Sequence, residues 1–126
     1  MDNYTVRLTG FGAPDTSIEI AISACLEIMR KGDVWNKRTG RQFDENVFSL
    51  TESVTYEEGF TVGIMRIIEK IDKSDILLSL YTTCTHVELQ VWASPNVSRS
   101  IPSIHLTKEQ VKWLADIHAD VDIVVY

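Results

Sequence analysis

The strongest constraint on the fold is the apolar periodicity of residues 60–71. Its members are spaced so that they lie on one side of a helix: Phe60, Ile64, Ile67, Ile68 and Ile71. Thr55 and Glu58 precede them at the spacing of a capping box, in which each side chain accepts a hydrogen bond from the other residue's backbone amide. A helix with one apolar side has to bury that side. The sequence therefore predicts an amphipathic helix that packs against a second layer.

Short segments with strand character supply that second layer. Alternating side chains, or runs of β-branched and apolar side chains, favour strands in several places. We expect these strands at residues 4–9, 47–50, 76–82, 87–92 and 120–126, with a weaker one at 101–106. The segments have the length of ordinary strands, and polar or glycine-containing breaks separate them.

Two further helices complete the prediction. Residues 17–29 fit both an alternating strand and a helical stripe, and we expect a short helix that ends near Ala24, followed by extended chain. A second capping box at residues 107–110 opens the third helix. The predicted order is β-α-β-α-β-β-β-α-β. The expected fold is α+β: a single domain over residues 1–126, with a mixed, largely antiparallel sheet and about three helices packed on one face.

The apolar residues of segment 30–46 follow neither the helical nor the strand periodicity. Gly32, Gly40 and the polar residues around Trp35 predict a long exposed loop, and loops of such length in compact domains are usually functional or mobile. The loop is basic, so Trp35 could stack on a base while arginines contact phosphates. Contact with a protein partner fits better, since Trp and Arg dominate interface hot spots.

The charge distribution favours a basic partner. The 126 residues include 12 basic and 18 acidic ones, a net of −6. Residues 30–41 carry five basic residues and one acidic residue, so the remainder has 7 basic and 17 acidic residues, a net of −10. Such a body repels nucleic acid and attracts a basic protein by long-range steering. Alternatively, the acidity only keeps the protein soluble.

The expected cellular location rests on the absence of targeting and membrane-spanning segments from the sequence. The first residues have neither the basic nor the apolar region of a secretory signal, and no apolar run reaches the length of a membrane span. Cys25 and Cys84 form no disulfide framework, and a reducing compartment would keep them as thiols. We therefore expect a cytoplasmic protein without a membrane partner.

The residue types that commonly act in catalysis do not occur in a combination that predicts an active site. Cys84 and His86 could form a nucleophile–base pair, and Asp120 and Asp122 could act as acid and base on one face of the last strand. The thiol and imidazole side chains have no spacing typical of a metal site: Cys84, His86, His105 and His118. We expect no catalytic centre, no cofactor and no metal.

Two runs resemble a known family. Residues 30–33, Arg-Lys-Gly-Asp, follow the first strand and helix, and residues 104–115 precede an acidic closing strand at residues 120–126 that ends in tyrosine. Both are similar to motifs of the bacterial family called domain of unknown function 4279, and the resemblance covers nearly the whole chain. Phe48 stands where that family has a tryptophan in its second strand.

The resemblance implies a small bacterial protein that is not an enzyme, and such domains can serve as immunity proteins. With the acidic body, it predicts a protein that neutralises a cognate toxin, such as a basic nuclease, by binding it. The predicted contacts are acidic residues and one tryptophan: Trp35, Asp44, Glu45, Glu57, Glu58, Asp120 and Asp122. The alternative functions are a small-molecule or regulatory binding module with an unknown ligand and, third, an enzyme that uses Cys84, His86 or the acidic pair.

Overall fold

The computed structural model describes residues 3–24, 26–36, 38–42, 44–94 and 104–125, with the backbone alone at 3, 35, 36, 94, 124 and 125. These residues form seven strands and four helices. In chain order they are β1 (Asn3–Phe11), α1 (Asp15–Ser23), β2 (Glu27–Met29), β3 (Val34–Asn36), β4 (Arg41–Gln42), β5 (Val47–Val54), α2 (Gly59–Asp72), α3 (Asp75–Thr82), β6 (His86–Ser94), α4 (Lys108–Asp116) and β7 (Ala119–Val125). The α+β class is thus confirmed.

Five strands form the main sheet in the order β2-β5-β1-β6-β7, and β3 pairs with β4 separately. The pairs β1–β5, β1–β6 and β2–β5 are antiparallel, whereas β6 and β7 are parallel. A parallel pair needs a crossover between its strands, and α4 lies in that connection. The sheet is therefore mixed, as the sequence predicted.

The helices pack on one side of the sheet. The strand register aligns Tyr4, Val6 and Leu8 of β1 with apolar residues of β6, and these side chains are buried. All four helices contribute buried residues to the same hydrophobic cluster: Ile18 and Ala21 of α1, Phe60, Ile64, Ile67 and Ile71 of α2, Leu80 and Tyr81 of α3, and Leu114 of α4. We call this side of the sheet the core face.

Helix α2 approaches the sheet most closely at Gly63. A Cβ atom at this position would lie 2.8 Å from Cγ2 of Val6 and 2.7 Å from Cγ1 of Val54. Both distances are too short for real contacts, so the absence of a side chain sets the spacing between helix and sheet. The reciprocal hydrogen bonds between Thr55 and Glu58 are present, and the helix begins directly after them.

Helix α3 corrects the prediction of a strand at residues 76–82, and it explains why the described residues hold four helices rather than about three. The Ser74 side chain accepts a hydrogen bond from the Leu77 amide and caps the helix. Leu77, Leu80 and Tyr81 then face the hydrophobic cluster at helical spacing, while Ile76 is 57% exposed. An almost continuous apolar run is compatible with both the helical and the strand periodicity, and the Ser74 cap favours the helix.

Two smaller expectations also change. Residues 30–46 are not structureless, because the β3–β4 pair lies within them. Residues 104–106 do not form a strand, and residues 101–103 of that predicted element lie outside the described residues. His118 follows the end of α4 with a φ of 56° and is exposed. No helix in the described ranges has both the length and the apolar character needed to cross a membrane.

Candidate functional site

The opposite side of the sheet, which we call the open face, carries none of the helical residues of the hydrophobic cluster within the described chain. Alternation along the strands places mainly polar, charged and aromatic side chains there, together with Met29 and Val47, and of this set Thr9, Val47 and Ser49 are buried. They are Glu27 and Met29 of β2, Val47, Ser49, Thr51 and Ser53 of β5, Thr5, Arg7, Thr9 and Phe11 of β1, His86, Glu88, Gln90 and Trp92 of β6, and Asp120 and Asp122 of β7. A surface that combines these side chains is suited to recognition.

Arg7 and Trp92 are in direct contact on the open face. The guanidinium carbon of Arg7 lies 4.3 Å from the centre of the Trp92 ring, a cation–π contact. The Arg7 Nε donates to Oγ1 of Thr51 at 3.1 Å, and a terminal nitrogen lies 3.9 Å from Oε2 of Glu27. Arg7 is therefore held by three neighbours, and the pair presents a preformed aromatic and cationic surface.

Beside this pair lies a shallow depression of about 240 Å³, with Thr9 and Ser49 in its lining. The hydroxyl of Thr9 donates to Oε1 of Gln90 at 3.0 Å and lies 3.1 Å from the Ser49 hydroxyl. Since a hydroxyl has one proton, Ser49 has to donate to Thr9. The polar groups thus form a directed chain across three strands, which fixes the orientation of Gln90 at the rim.

His86 links β6 to β7 at one end of the open face. Its Nε2 lies 3.4 Å from Oε2 of Glu88, and its Nδ1 lies 3.7 Å from Oδ2 of Asp120. The ring of Phe11 stands 5.6 Å from the imidazole. Among the described residues, the open face bears four carboxylates, those of Glu27, Glu88, Asp120 and Asp122, and one guanidinium, that of Arg7.

The structure brings some of the predicted contact residues together. Asp120 and Asp122 both lie on the open face, exposed, as their alternation predicted. Asp44 and Glu45 are exposed just before β5, next to the end of the sheet that contains Phe11. Glu45 approaches Gly12, because a Cβ atom at Gly12 would lie 3.0 Å from its Oε2. These four acidic residues thus lie on the open face or near the end of the sheet that carries His86.

Glu57 and Glu58 lie elsewhere. They follow β5, so the length of that eight-residue strand, roughly 25 Å, separates them from Asp44 and Glu45. Glu58 is engaged in local structure: it accepts a hydrogen bond from the Thr55 amide and pairs with Arg66. The Thr55 amide first and the Arg66 guanidinium second hold the pKa of Glu58 below its ordinary value. Trp35 lies in β3, and its side chain is outside the described part of the chain.

Cys84 and His86 do not form a nucleophile–base pair in this structure. Cys84 precedes β6, and its Sγ contacts Leu80 O at 3.6 Å on the core face, whereas His86 lies on the open face. The two side chains are therefore on opposite sides of the sheet. Burial first, and the charge of Glu45 second, raise the pKa of the Cys84 thiol to about 12, which suppresses the nucleophilic thiolate.

The four thiol and imidazole side chains that were weighed as metal ligands, Cys84, His86, His105 and His118, do not converge. His105 is exposed in the segment before α4, and His118 is exposed after it. In the described ranges, no group of three or more His, Cys, Asp or Glu side chains is arranged to hold a metal ion.

Sequence reasoning missed Arg7, Trp92, Thr9 and Gln90. A signal for them exists, since they occupy alternate positions in strands whose other positions are apolar. Alternation alone identifies a polar face for each strand but not which residues of different strands meet. The register of β1 with β5 and β6 supplies that information, aligning Arg7 with Thr51 and Gln90.

Comparison of the chain with protein-family models, with curated proteins and with solved structures found no match. The resemblance to the domain of unknown function 4279 family therefore stays a prediction that rests on its short motifs. The evidence about function comes from the open face itself. It consists of the Arg7–Trp92 contact, the acidic groups and the lack of a covering helix in the described chain.

Proposed function

We propose that this chain is a non-enzymatic protein-binding domain of the immunity type, which neutralises a cognate toxin by binding it through the open face. The observation that supports the proposal most is a sheet face with an ordered Arg7–Trp92 pair, surrounded by carboxylates and left without a covering helix in the described chain. The partner is a basic protein domain, such as a nuclease toxin.

The Arg7–Trp92 pair is suited to anchor a partner. Trp and Arg are enriched among the residues that contribute most to binding energy. A side chain that is already held loses less conformational entropy when a partner binds. Arg7 is held by Thr51, Glu27 and the Trp92 ring before any partner arrives. These contacts favour a preorganised centre for an interface.

The carboxylates support the choice of a basic partner. Glu88, Asp120 and Asp122 lie together on β6 and β7, and the side chain of Asp120 is 75% exposed. Exposed charges of one sign accelerate the encounter with a partner of opposite sign, and salt weakens the effect. An acidic surface also suits inhibition of a nuclease, because it occupies the region where the enzyme would bind phosphate.

The family resemblance adds the biological setting of the proposal. It implies a bacterial protein without catalytic residues of its own. The proposed location is the cytoplasm, which is consistent with Cys84 being a free thiol.

The test is capture of the partner from the native host, followed by reconstitution from purified components. We expect a stoichiometric complex with a protein that is toxic when expressed alone and harmless when expressed with this chain. Trp92→Ala should weaken the complex by roughly tenfold or more, since an anchor residue is worth at least about 1.4 kcal/mol. The double substitution Asp120→Asn and Asp122→Asn should slow association, and added salt should reduce the difference from the wild type.

The matched control is the pair Asp75→Asn and Asp116→Asn. It removes the same amount of charge from the exposed surface of two helices on the other side of the sheet. This variant should bind like the wild type at any salt concentration. A complex that tolerates Trp92→Ala and ignores salt, or turnover of a substrate by the purified chain alone, would contradict the proposal.

A further inference from the structure

A second recessed site lies on the helical side of the molecule, between α2 and α4. It is a cavity of about 400 Å³, within the size range of sites for small organic molecules. Its lining comes from α2, α4 and the residue that caps α4: Thr61, Val62, Met65, Ile68, Glu69, Asp72, Thr107, Glu109, Gln110 and Trp113. The open face is on the other side of the sheet, so this groove is independent of the proposed toxin-binding surface.

The floor of the groove is apolar. Val62, Met65 and Ile68 line it from α2, and the indole of Trp113 lines it from α4. Met65 is 45% exposed and Ile68 is only partly buried, so apolar surface remains accessible to a ligand. Methionine adapts its shape to ligands of different outline, and an indole offers a large flat surface. This composition favours the aromatic or aliphatic body of an organic molecule.

The charged groups of the groove all have one sign. Glu69 and Asp72 of α2 and Glu109 of α4 line it, and none of the lining residues is basic. The described ion pairs of α2 hold its cations elsewhere, with Arg66 on Glu58 and Lys70 on Glu52. None of the described residues that line the groove therefore places a positive charge beside its three carboxylates.

Trp113 and Asp72 give this arrangement a fixed geometry. The indole Nε1 of Trp113 donates to Oδ1 of Asp72 at 3.0 Å, which orients both the ring and the carboxylate. Gln110 is buried between the helices, where it donates to Thr61 O and accepts from the Thr107 amide. These bonds hold α2 and α4 together, so the groove is preformed.

We propose that the groove between α2 and α4 binds a small organic cation, with its apolar body on Val62, Met65, Ile68 and Trp113 and its ammonium group among Asp72, Glu69 and Glu109. Opposite charge selects the ligand class, because an ammonium group gains charge-assisted hydrogen bonds to the carboxylates and a cation–π contact with the indole. A neutral analogue keeps only the apolar contacts, and an anion is repelled.

Three indole compounds of nearly equal shape test this proposal: tryptamine, tryptophol and indole-3-propionate, which are cationic, neutral and anionic at neutral pH. Calorimetric titration of the full chain should give tryptamine an affinity about tenfold or more above that of tryptophol, and indole-3-propionate should not bind measurably. In nuclear magnetic resonance spectra, tryptamine should shift the Trp113 indole signal and leave that of Trp92 unchanged.

Asp72→Asn is the decisive variant, because asparagine still offers an acceptor to the Trp113 indole while the charge is lost. It should reduce the preference for tryptamine over tryptophol, and its combination with Glu69→Gln and Glu109→Gln should bring the two affinities to within about twofold to threefold of each other. Asp116→Asn removes a charge from α4 outside the groove lining and should keep the preference for tryptamine. Circular dichroism verifies that these variants are folded.

Equal affinity of the wild type for tryptamine and tryptophol, retention of the full preference after all three carboxylates are replaced, or absence of saturable binding would overturn the proposal. Binding of a basic peptide together with no binding of tryptamine would overturn it in favour of a protein partner at this groove. Trp92→Ala separates the two proposals of this article, since it should weaken the toxin complex and leave tryptamine binding unchanged.

Discussion

The two faces of the sheet are built from the same strands and differ in almost every other respect. On the core face, Leu8 and Leu89 are fully buried under helices. On the open face, their sequence neighbours Arg7 and Gln90 remain partly exposed and interact through hydrogen bonds and ring contacts. Because side chains alternate along a strand, a residue that stabilises the core is followed directly by one that is available for recognition. Substitutions at adjacent positions can therefore affect one property and leave the other.

The largest difference between the faces should appear at Leu89 and Gln90. Leu89→Ala removes a side chain that is 1% exposed, and the resulting cavity should lower the free energy of unfolding by about 2–5 kcal/mol. Gln90→Ala, one residue later, should lower it by no more than about 1 kcal/mol, because water replaces the lost hydrogen bond at the rim. Urea denaturation of both variants measures the difference. Similar losses would mean that the open face is also part of the stabilising core.

A smaller difference is expected for two hydroxyl groups. Tyr81 is buried on the core face and donates to Leu8 O at 2.7 Å, and burial raises the pKa of its phenol. Tyr81→Phe should cost about 1–2 kcal/mol, since it removes the hydrogen bond of a side chain that is 1% exposed and leaves Leu8 O without that donor. Thr9→Val removes a hydroxyl that is also buried, since Thr9 is 3% and its partner Ser49 is 8% exposed. It should cost about 1 kcal/mol or less, because its other partner, Gln90, is partly exposed and can bond to solvent instead.

Thermal or urea unfolding of Tyr81→Phe and Thr9→Val, each beside the wild type, ranks the two hydroxyls. A larger loss for Thr9→Val would show that the hydrogen-bonded chain from Ser49 through Thr9 to Gln90 is a main source of stability. The open face would then be rigid because it supports the fold, and its order would no longer argue for a preformed interface.

The sequence was sufficient to predict helices and strands whose periodicity and capping residues indicate the same structure. The apolar stripe of α2 and the capping box of α4 predicted both helices, because period and cap indicate the same structure. Helix α3 was predicted as a strand because its apolar run satisfies both periods. The hydrogen bond from the Leu77 amide to Ser74 distinguishes the two, and a serine before an apolar run is a signal that sequence reasoning could have used.

The candidate site was less predictable. Asp120 and Asp122 were identified because they alternate within one strand, a local property. Arg7 and Trp92 are far apart in the chain and meet only through the pairing of β1 with β6, which sequence alone does not reveal. Glu58 was predicted as a contact from its charge, yet the same capping-box signal that predicted α2 also assigns Glu58 a structural role.

The smallest effect should come from Glu27→Gln. The Glu27 carboxylate lies 3.9 Å from Arg7, and its side chain is 65% exposed, so solvent screens the pair and its loss should change the free energy of unfolding by less than about 0.5 kcal/mol. Arg7 keeps its hydrogen bond to Thr51 and its contact with Trp92. Unfolding measured at low and at high salt should therefore give the same small difference between variant and wild type. A loss well above 1 kcal/mol would show that the Glu27–Arg7 pair contributes substantially to stability. The fold alone would then account for these charges of the open face, without a partner.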